Sequence, residues 1–147
     1  MLGSIQQKIA HPDGARSRET LRRLIIDLQD CLNSIERCHK PVIAAIQGAC
    51  VGGALDMVTC CDMRYASADA VFAIKEIDLA MVADVGTLQR LPHLIGQGMT
   101  RELAYTGRQV DAGEAEKLGL INRVFASNSA LTAAVRKPPA NPGQAGI

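Results

Sequence analysis

Six acids crowd into one short stretch of the chain: Asp56, Asp62, Asp69, Glu76, Asp78 and Asp84, with only Arg64 and Lys75 to balance them. Carboxylates placed together can take a proton at one atom and return it at another. Most acids in any protein are solvated surface groups, and that reading applies first to each of these six. Just ahead of them stands CVGGALD, residues 50–56, between an apolar run, PVIAAIQG, and a helical-looking one, MVTCC. The first turn of a helix presents N–H groups that have no intrahelical partner, together with a partial positive charge. Gly53 has no Cβ, so an oxygen of a bound molecule can approach its N–H closely, as an oxyanion hole requires. The same two glycines also suit a plain turn between strand and helix. The phosphate-loop pattern G-x-x-x-x-G-K-[ST] and the dinucleotide pattern G-x-G-x-x-G are both absent.

These groups must be held by a scaffold, and the sequence outlines one. From Ser17, Leu21, Leu24, Ile25, Leu28, Leu32 and Ile35 recur at three- and four-residue spacing, which predicts an amphipathic helix capped by Ser17, with Glu19 in its first turn. Arg22, Arg23, Asp27, Asp30 and Arg37 form its solvated face. Pro41 closes that helix and opens VIAAI, a buried strand. After the glycine turn comes a short helix from Ala54. MRYASADAVFAIKEI reads as two extended pieces around a turn at Ser67, Ala68 and Asp69. VGTLQRLPHLIG reads as a helix that Pro92 should break. GMTRELAYTG is a helix closed by Gly107, and DAGEAEKLGL another, capped by Asp111 and stopped by Gly119. INRVF is a last strand, after which the pattern decays into the Pro- and Gly-rich RKPPANPGQAGI. The alternation of strand and helix makes the class α/β.

With 147 residues the chain suffices for one domain with a real core, and 48% hydrophobic against 21% charged residues excludes a disordered class. A net charge of +1, no Trp and two each of Phe and Tyr give no footing for nucleic acid, so no nucleic-acid partner is expected. Cys31, Cys38, Cys50, Cys60 and Cys61 are odd in number and lack C-x-x-C spacing, and His11, His39 and His93 do not complete a ligand set; no metal site is expected. Free thiols in a reducing compartment are the plain reading, with Cys60 and Cys61 as core filler. No apolar run can span a bilayer. The opening MLGSIQQKIAH lacks a basic flank and apolar signal core, and the closing AGI is not a Ser-Lys-Leu address, so no targeting signal is expected to be visible.

Three segments in order, KPVIAAIQGACVGGALDMVTCCDMRYAS, AVFAIKEIDLAMVADVGTLQRLPHLIG and GEAEKLGLINRVF, closely resemble the enoyl-CoA hydratase/isomerase (crotonase) family over residues 35–125. The resemblance implies a partial crotonase (ClpP/crotonase-like) fold, a spiral of β-β-α units. On it, residues 1–16 are an unpatterned N-terminal segment, 17–126 a partial crotonase-like domain, and 127–147 an irregular Pro/Gly-rich tail. It also implies a chain shortened at both ends. The family's opening strands, which give the second oxyanion N–H and much of the CoA site, and its closing helices, which pack subunits into trimers or hexamers, have no counterpart. A homo-oligomer is expected for complete members, and a peroxisome or mitochondrion as the location.

The acids select a branch of that family. Hydratases usually carry two glutamates, where this chain has Asp56 and Glu76; eight residues beyond Glu76, where hydratases commonly have glycine, it has Asp84. That pattern, with IERC, KEIDLA and ADVGTLQRLP, is similar to the Δ3,5-Δ2,4-dienoyl-CoA isomerases. The resemblance implies Gly53 as an oxyanion-hole donor to an acyl-CoA thioester. It implies Glu76 as the proton carrier near C2, Asp84 as the carrier near C6, and Asp56 as a third acid that tunes them. Such chemistry suits the residue types: a dienolate spreads its charge onto the thioester oxygen, and two carboxylates move both double bonds. It needs no metal or redox cofactor. The alternatives are an enoyl-CoA hydratase and a truncated, non-catalytic crotonase-like subunit. Lys75, beside Glu76, is read as a surface charge ahead of an aid to CoA phosphates.

Overall fold

The computed structural model describes residues 11–136. Its first helix, α1 (Gly14–Glu36), starts three residues before the expected cap, because Asp13 accepts the Ala15 N–H at 2.8 Å. The Ser17 hydroxyl instead donates back to carbonyls, that of His11 at 3.1 Å among them. The solvated face is as expected, with Glu19 bridging Arg22 and Arg23. The apolar stripe is not packed away: no residue of α1 is buried, and Leu21, Ile26 and Leu28 are exposed.

Two small sheets follow, built in alternation. β1 (Ile43–Ile46) and β2 (Ala49–Val51) lead into α2 (Gly53–Thr59). β3 (Met63–Ser67) and β4 (Val71–Ala73) lead through a 3₁₀ turn (Glu76–Leu79) into α3 (Thr87–Ile95) and α4 (Gln97–Thr106). β5 (Val110–Asp111), α5 (Ala112–Leu118), β6 (Arg123–Phe125) and α6 (Asn128–Arg136) complete the described residues. One sheet has the order β1-β3-β6, the other β2-β4-β5. Each β-β-α unit thus gives its first strand to one sheet and its second to the other. Ile43 pairs with Met63 in the first sheet and Ala49 with Val71 in the second, both in parallel. The expected α/β class and partial spiral are found.

The core lies between these layers, around Ile46, Leu55, Phe72, Leu91, Leu103 and Leu120. With two phenylalanines in the chain, close approach is achieved with small residues: Ala66, Ala70, Ala73 and Ala115 are fully enclosed. Arg64 is buried too, donating to the Leu120 carbonyl at 2.8 Å and to that of Cys61 at 2.6 Å, which ties β3 to the loop before β6. Arg108 clamps α4 to α5 by pairing with Glu102 and, through two nitrogens, with Glu114.

Two expectations are corrected. Pro92 does not break α3, which runs on to Ile95. Proline removes a single N–H here, and the adjacent Leu91, wholly buried, anchors the helix regardless of that loss. The pattern also does not decay after Phe125. Ser127 accepts the Ala130 N–H through its hydroxyl and the Leu131 N–H through its carbonyl, starting α6, whose Leu131 is buried. The Pro- and Gly-rich residues 137–147 lie outside the described residues, as does most of the segment 1–16.

All five cysteines are free, with Cys31 and Cys38 exposed and Cys50 and Cys60 buried. Burial pushes the Cys50 thiol up to about 12, leaving almost no thiolate at neutral pH. A thiol-reactive chromophore at neutral pH should therefore label Cys31 and Cys38 quickly, and Cys50 and Cys60 only at the rate of unfolding. Fast labelling of Cys50 in the native protein would contradict the enclosed core.

Candidate active site

The glycine turn takes its shape from sheet pairing. Val51 is opposite Ala73, and the next N–H, that of Gly52, donates to the Ala73 carbonyl at 3.0 Å. Gly52 sits at φ 57° and ψ −124°, a conformation open to glycine and costly for other residues. A Cβ built there would stand 3.1 Å from Glu76 Oε1, so the glutamate carboxylate lies directly over the turn. The same pairing that bends the chain at Gly52 brings Glu76, three residues after β4, across to it.

Gly53 then opens α2. The first helical bonds run from Leu55 and Asp56 to the Gly52 carbonyl, at 2.7 and 3.2 Å. The N–H groups of Gly53 and Ala54 donate to nothing among the described residues, and a Cβ on Gly53 would meet no atom within 4 Å. An unpaired donor therefore follows directly on the glycine that the Glu76 carboxylate overlies. Glu76 Oε2 is buried without a partner among the described residues. Glu76 lines an apolar cavity of about 130 Å³ with Ile74, Ile77, Met81, Val82, Ala83 and Leu88.

Asp56 lies one turn into α2 and has no solvent exposure. Its Oδ1 accepts the Thr87 N–H at 2.9 Å, satisfying a free donor at the start of α3, where a carboxylate is favoured. Oδ2 has no partner among the described residues. Asp84 precedes Thr87 by three residues and is exposed. Its backbone carbonyl accepts from Gln29 Nε2 of α1 at 2.7 Å. Asp84 lines a larger polar cavity of about 450 Å³ between α1 and α3, with Gln29, Asn33, Gly86, Arg90 and His93. Glu76 is thus brought against Gly52, the neighbour of Gly53, Asp56 is joined to the start of α3, and Asp84 opens into a different cavity from Glu76.

The other three acids of the cluster have local partners. Asp62 accepts the Val42 N–H at 2.7 Å, Asp69 accepts the Ser67 hydroxyl, and Asp78 pairs with Lys75 at 2.9 Å. Lys75 is half-buried in that pair. Among the described residues no group of three His, Cys, Asp or Glu side chains is arranged to hold a metal ion. No described helix is long and apolar enough to cross a membrane.

Gln29, Gly52 and Arg90 were not singled out from the sequence. Gln29 carries a readable signal: it lies four residues after Ile25 and three before Leu32, a polar side chain in line with apolar ones. Arg90 sits likewise between Leu88 and Leu91. It reaches Glu36 at 3.0 Å and also bonds Asn33, docking α1 on α3.

Comparison with known proteins places this architecture. The family model described as enoyl-CoA hydratase/isomerase matches residues 9–137. The peroxisomal Delta(3,5)-Delta(2,4)-dienoyl-CoA isomerase of Arabidopsis thaliana is 56% identical over 119 residues, 81% of this chain and 43% of that protein. The mitochondrial enzyme of the same name from Homo sapiens is 54% identical over 114 residues, 77% of this chain and 35% of its own. The chain therefore spans well under half the length of these relatives. Among solved structures, a probable enoyl-CoA hydratase/isomerase from Mycobacterium abscessus superposes with a TM-score of 0.77 at 37% identity, covering 81% of this chain and 46% of that one.

The Asp56–Thr87 bond makes a stability prediction. Asp56→Ala leaves a buried N–H unpaired and should cost about 2–3 kcal/mol in urea unfolding, whereas Asp56→Asn keeps the acceptor and should stay within about 1 kcal/mol of the parent. Equal losses in the two would show that the bond is not what Asp56 contributes.

Proposed function

The chain belongs to the enoyl-CoA hydratase/isomerase family, and from that premise we propose that it acts on a 3,5-dienoyl-CoA thioester, moving both double bonds to give the 2,4-dienoyl isomer. The observation that carries this reading is the Glu76 carboxylate, held over Gly52 with one oxygen unpaired, while the next residue of the turn, Gly53, has an N–H without a partner among the described residues. The Gly53 N–H receives the thioester oxygen as charge develops on it. Glu76 removes the proton at C2, leaving a dienolate whose negative charge rests largely on that oxygen. Asp84 delivers a proton at C6, and electrons return through the diene to complete the shift. Asp56 supports the arrangement by fixing the start of α3, which follows Asp84. The reading calls for no metal or redox cofactor, the substrate's CoA group being the handle. The relatives' names favour a peroxisomal or mitochondrial setting, and the substrate proposed suits fatty-acid β-oxidation. Exposed Leu79, Val82 and Tyr105 favour further apolar contacts, as in a homotrimer or a pair of trimers.

Hydration of an enoyl-CoA is the competing activity. It needs two carboxylates cooperating on one water. Asp56 is poorly suited to that, being wholly buried with Oδ1 bonded to the Thr87 N–H. A non-catalytic role is favoured by a different observation, the opening of Asp84 into a cavity apart from that of Glu76.

The deciding measurement is the absorbance gained as a 3,5-dienoyl-CoA comes into conjugation with its thioester. Glu76→Gln and Asp84→Asn should each lower turnover by about 10²-fold or more. Hydration of crotonyl-CoA that is indifferent to Asp84→Asn would point to the hydratase. A folded chain with neither activity would be the non-catalytic subunit.

A further inference from the structure

The loop that carries Asp84 is fixed at both ends and nearly free between them. At one end Ala80 takes a left-handed conformation at φ 54° and Met81 donates to the Glu76 carbonyl at 3.0 Å. At the other, Asp56 holds the Thr87 N–H. Among the described residues, Val82, Ala83, Asp84 and Val85 donate no backbone hydrogen bond to another backbone group. Ala83 is buried, and among the described residues one hydrogen bond reaches this stretch from outside: Gln29 Nε2 donates to the Asp84 carbonyl at 2.7 Å. The Asp84 carboxylate is exposed and makes no side-chain bond among the described residues, so the backbone sets the point and the Cα–Cβ direction from which it projects. Gln29 is itself partly buried on a helix that Arg90 docks through Glu36 and Asn33.

We infer that Gln29 is a positioning residue for Asp84: its amide N–H fixes the Asp84 carbonyl, and thereby the direction in which the carboxylate is offered to substrate. The inference rests on the reading of Asp84 as a proton carrier. A proton donor misplaced by about 1 Å can lose about 10²-fold in rate while binding is unchanged, so such a tether acts on kcat more than on KM. A docking contact between α1 and the loop would instead act through stability.

Two variants separate these roles. Gln29→Met keeps length and removes the donor; Gln29→Lys keeps an N–H donor of similar reach. Hydrogen–deuterium exchange on the full chain comes first, because it does not depend on turnover. Gln29→Met should speed exchange across residues 82–86 about 10-fold and leave residues 18–34 unchanged, and Gln29→Lys should restore most of the protection. Unchanged exchange at 82–86, or faster exchange there and along α1 together, would overturn the inference. In the dienoyl-CoA assay, Gln29→Met should lower kcat about 10-fold with KM unaltered, and Gln29→Lys should recover it. If Asp84→Asn lowers turnover and Gln29→Met does not, the positioning role is wrong and the reading of Asp84 stands. If Asp84→Asn has no effect on an active chain, the reading of Asp84 is what fails, and the inferred catalytic positioning fails with it.

Discussion

A carboxylate with no exposure to solvent sits at the junction of the two helices that frame the candidate site. Asp56 projects from α2, and its Oδ1 accepts the Thr87 N–H at the start of α3. Removing a charged group from water is costly unless it finds a partner, and the free N–H at a helix start is a partner of the right sign. The bond therefore restrains relative movement of α2 and α3. It also fixes what hangs from each: the Gly52–Gly53 turn before α2 and the Asp84 loop before α3. A shorter acid at this position is consistent with that geometry, since the carboxylate has to meet a backbone group close at hand.

The second constraint is the register of β2 on β4. With Val51 opposite Ala73, the Gly52 N–H completes the ladder and the chain must turn at once. The turn adopted, with positive φ, leaves the side where a Cβ would stand to the Glu76 carboxylate. A single backbone hydrogen bond thus couples the strand end, the left-handed glycine and the nearness of an acid to it. The glycine pair has two distinct uses: Gly52 clears space for Glu76, and Gly53 offers its own N–H to open space.

How much of this could be read in the chain depends on where the information is stored. The helices α4 and α5 are bounded by local chemistry, with left-handed glycines at 107 and 119 and the Asp111 side chain on the Glu114 N–H, and so they are legible. β2 and β5 have three and two residues, too few for alternation to appear, and their existence depends on partners distant in sequence. Pro92 reads as a break because proline chemistry is local, while the burial of Leu91 that overrides it is not. The start of α6 was legible in Ser127 and Leu131 but masked by the prolines that follow. The acids were legible as a set through family resemblance; that Glu76 and Asp84 line separate cavities depends on how α1 docks, which no local pattern records.

The three acids end in three different physical situations, and this bears on what each can do. Asp56 is buried and bonded, so its carboxylate is committed to the junction it holds. Glu76 has one oxygen in reach of the turn and the other enclosed without a partner, a charged group held in place but not fully satisfied. Asp84 is hydrated, and water screens it from the charges that could aim it. The point from which it projects comes from covalent geometry, hence from the backbone of the loop and whatever holds that backbone. A carboxylate that electrostatics cannot hold can still be placed accurately, provided the restraint acts on its peptide unit; the Gln29 bond to the Asp84 carbonyl is a restraint of that kind.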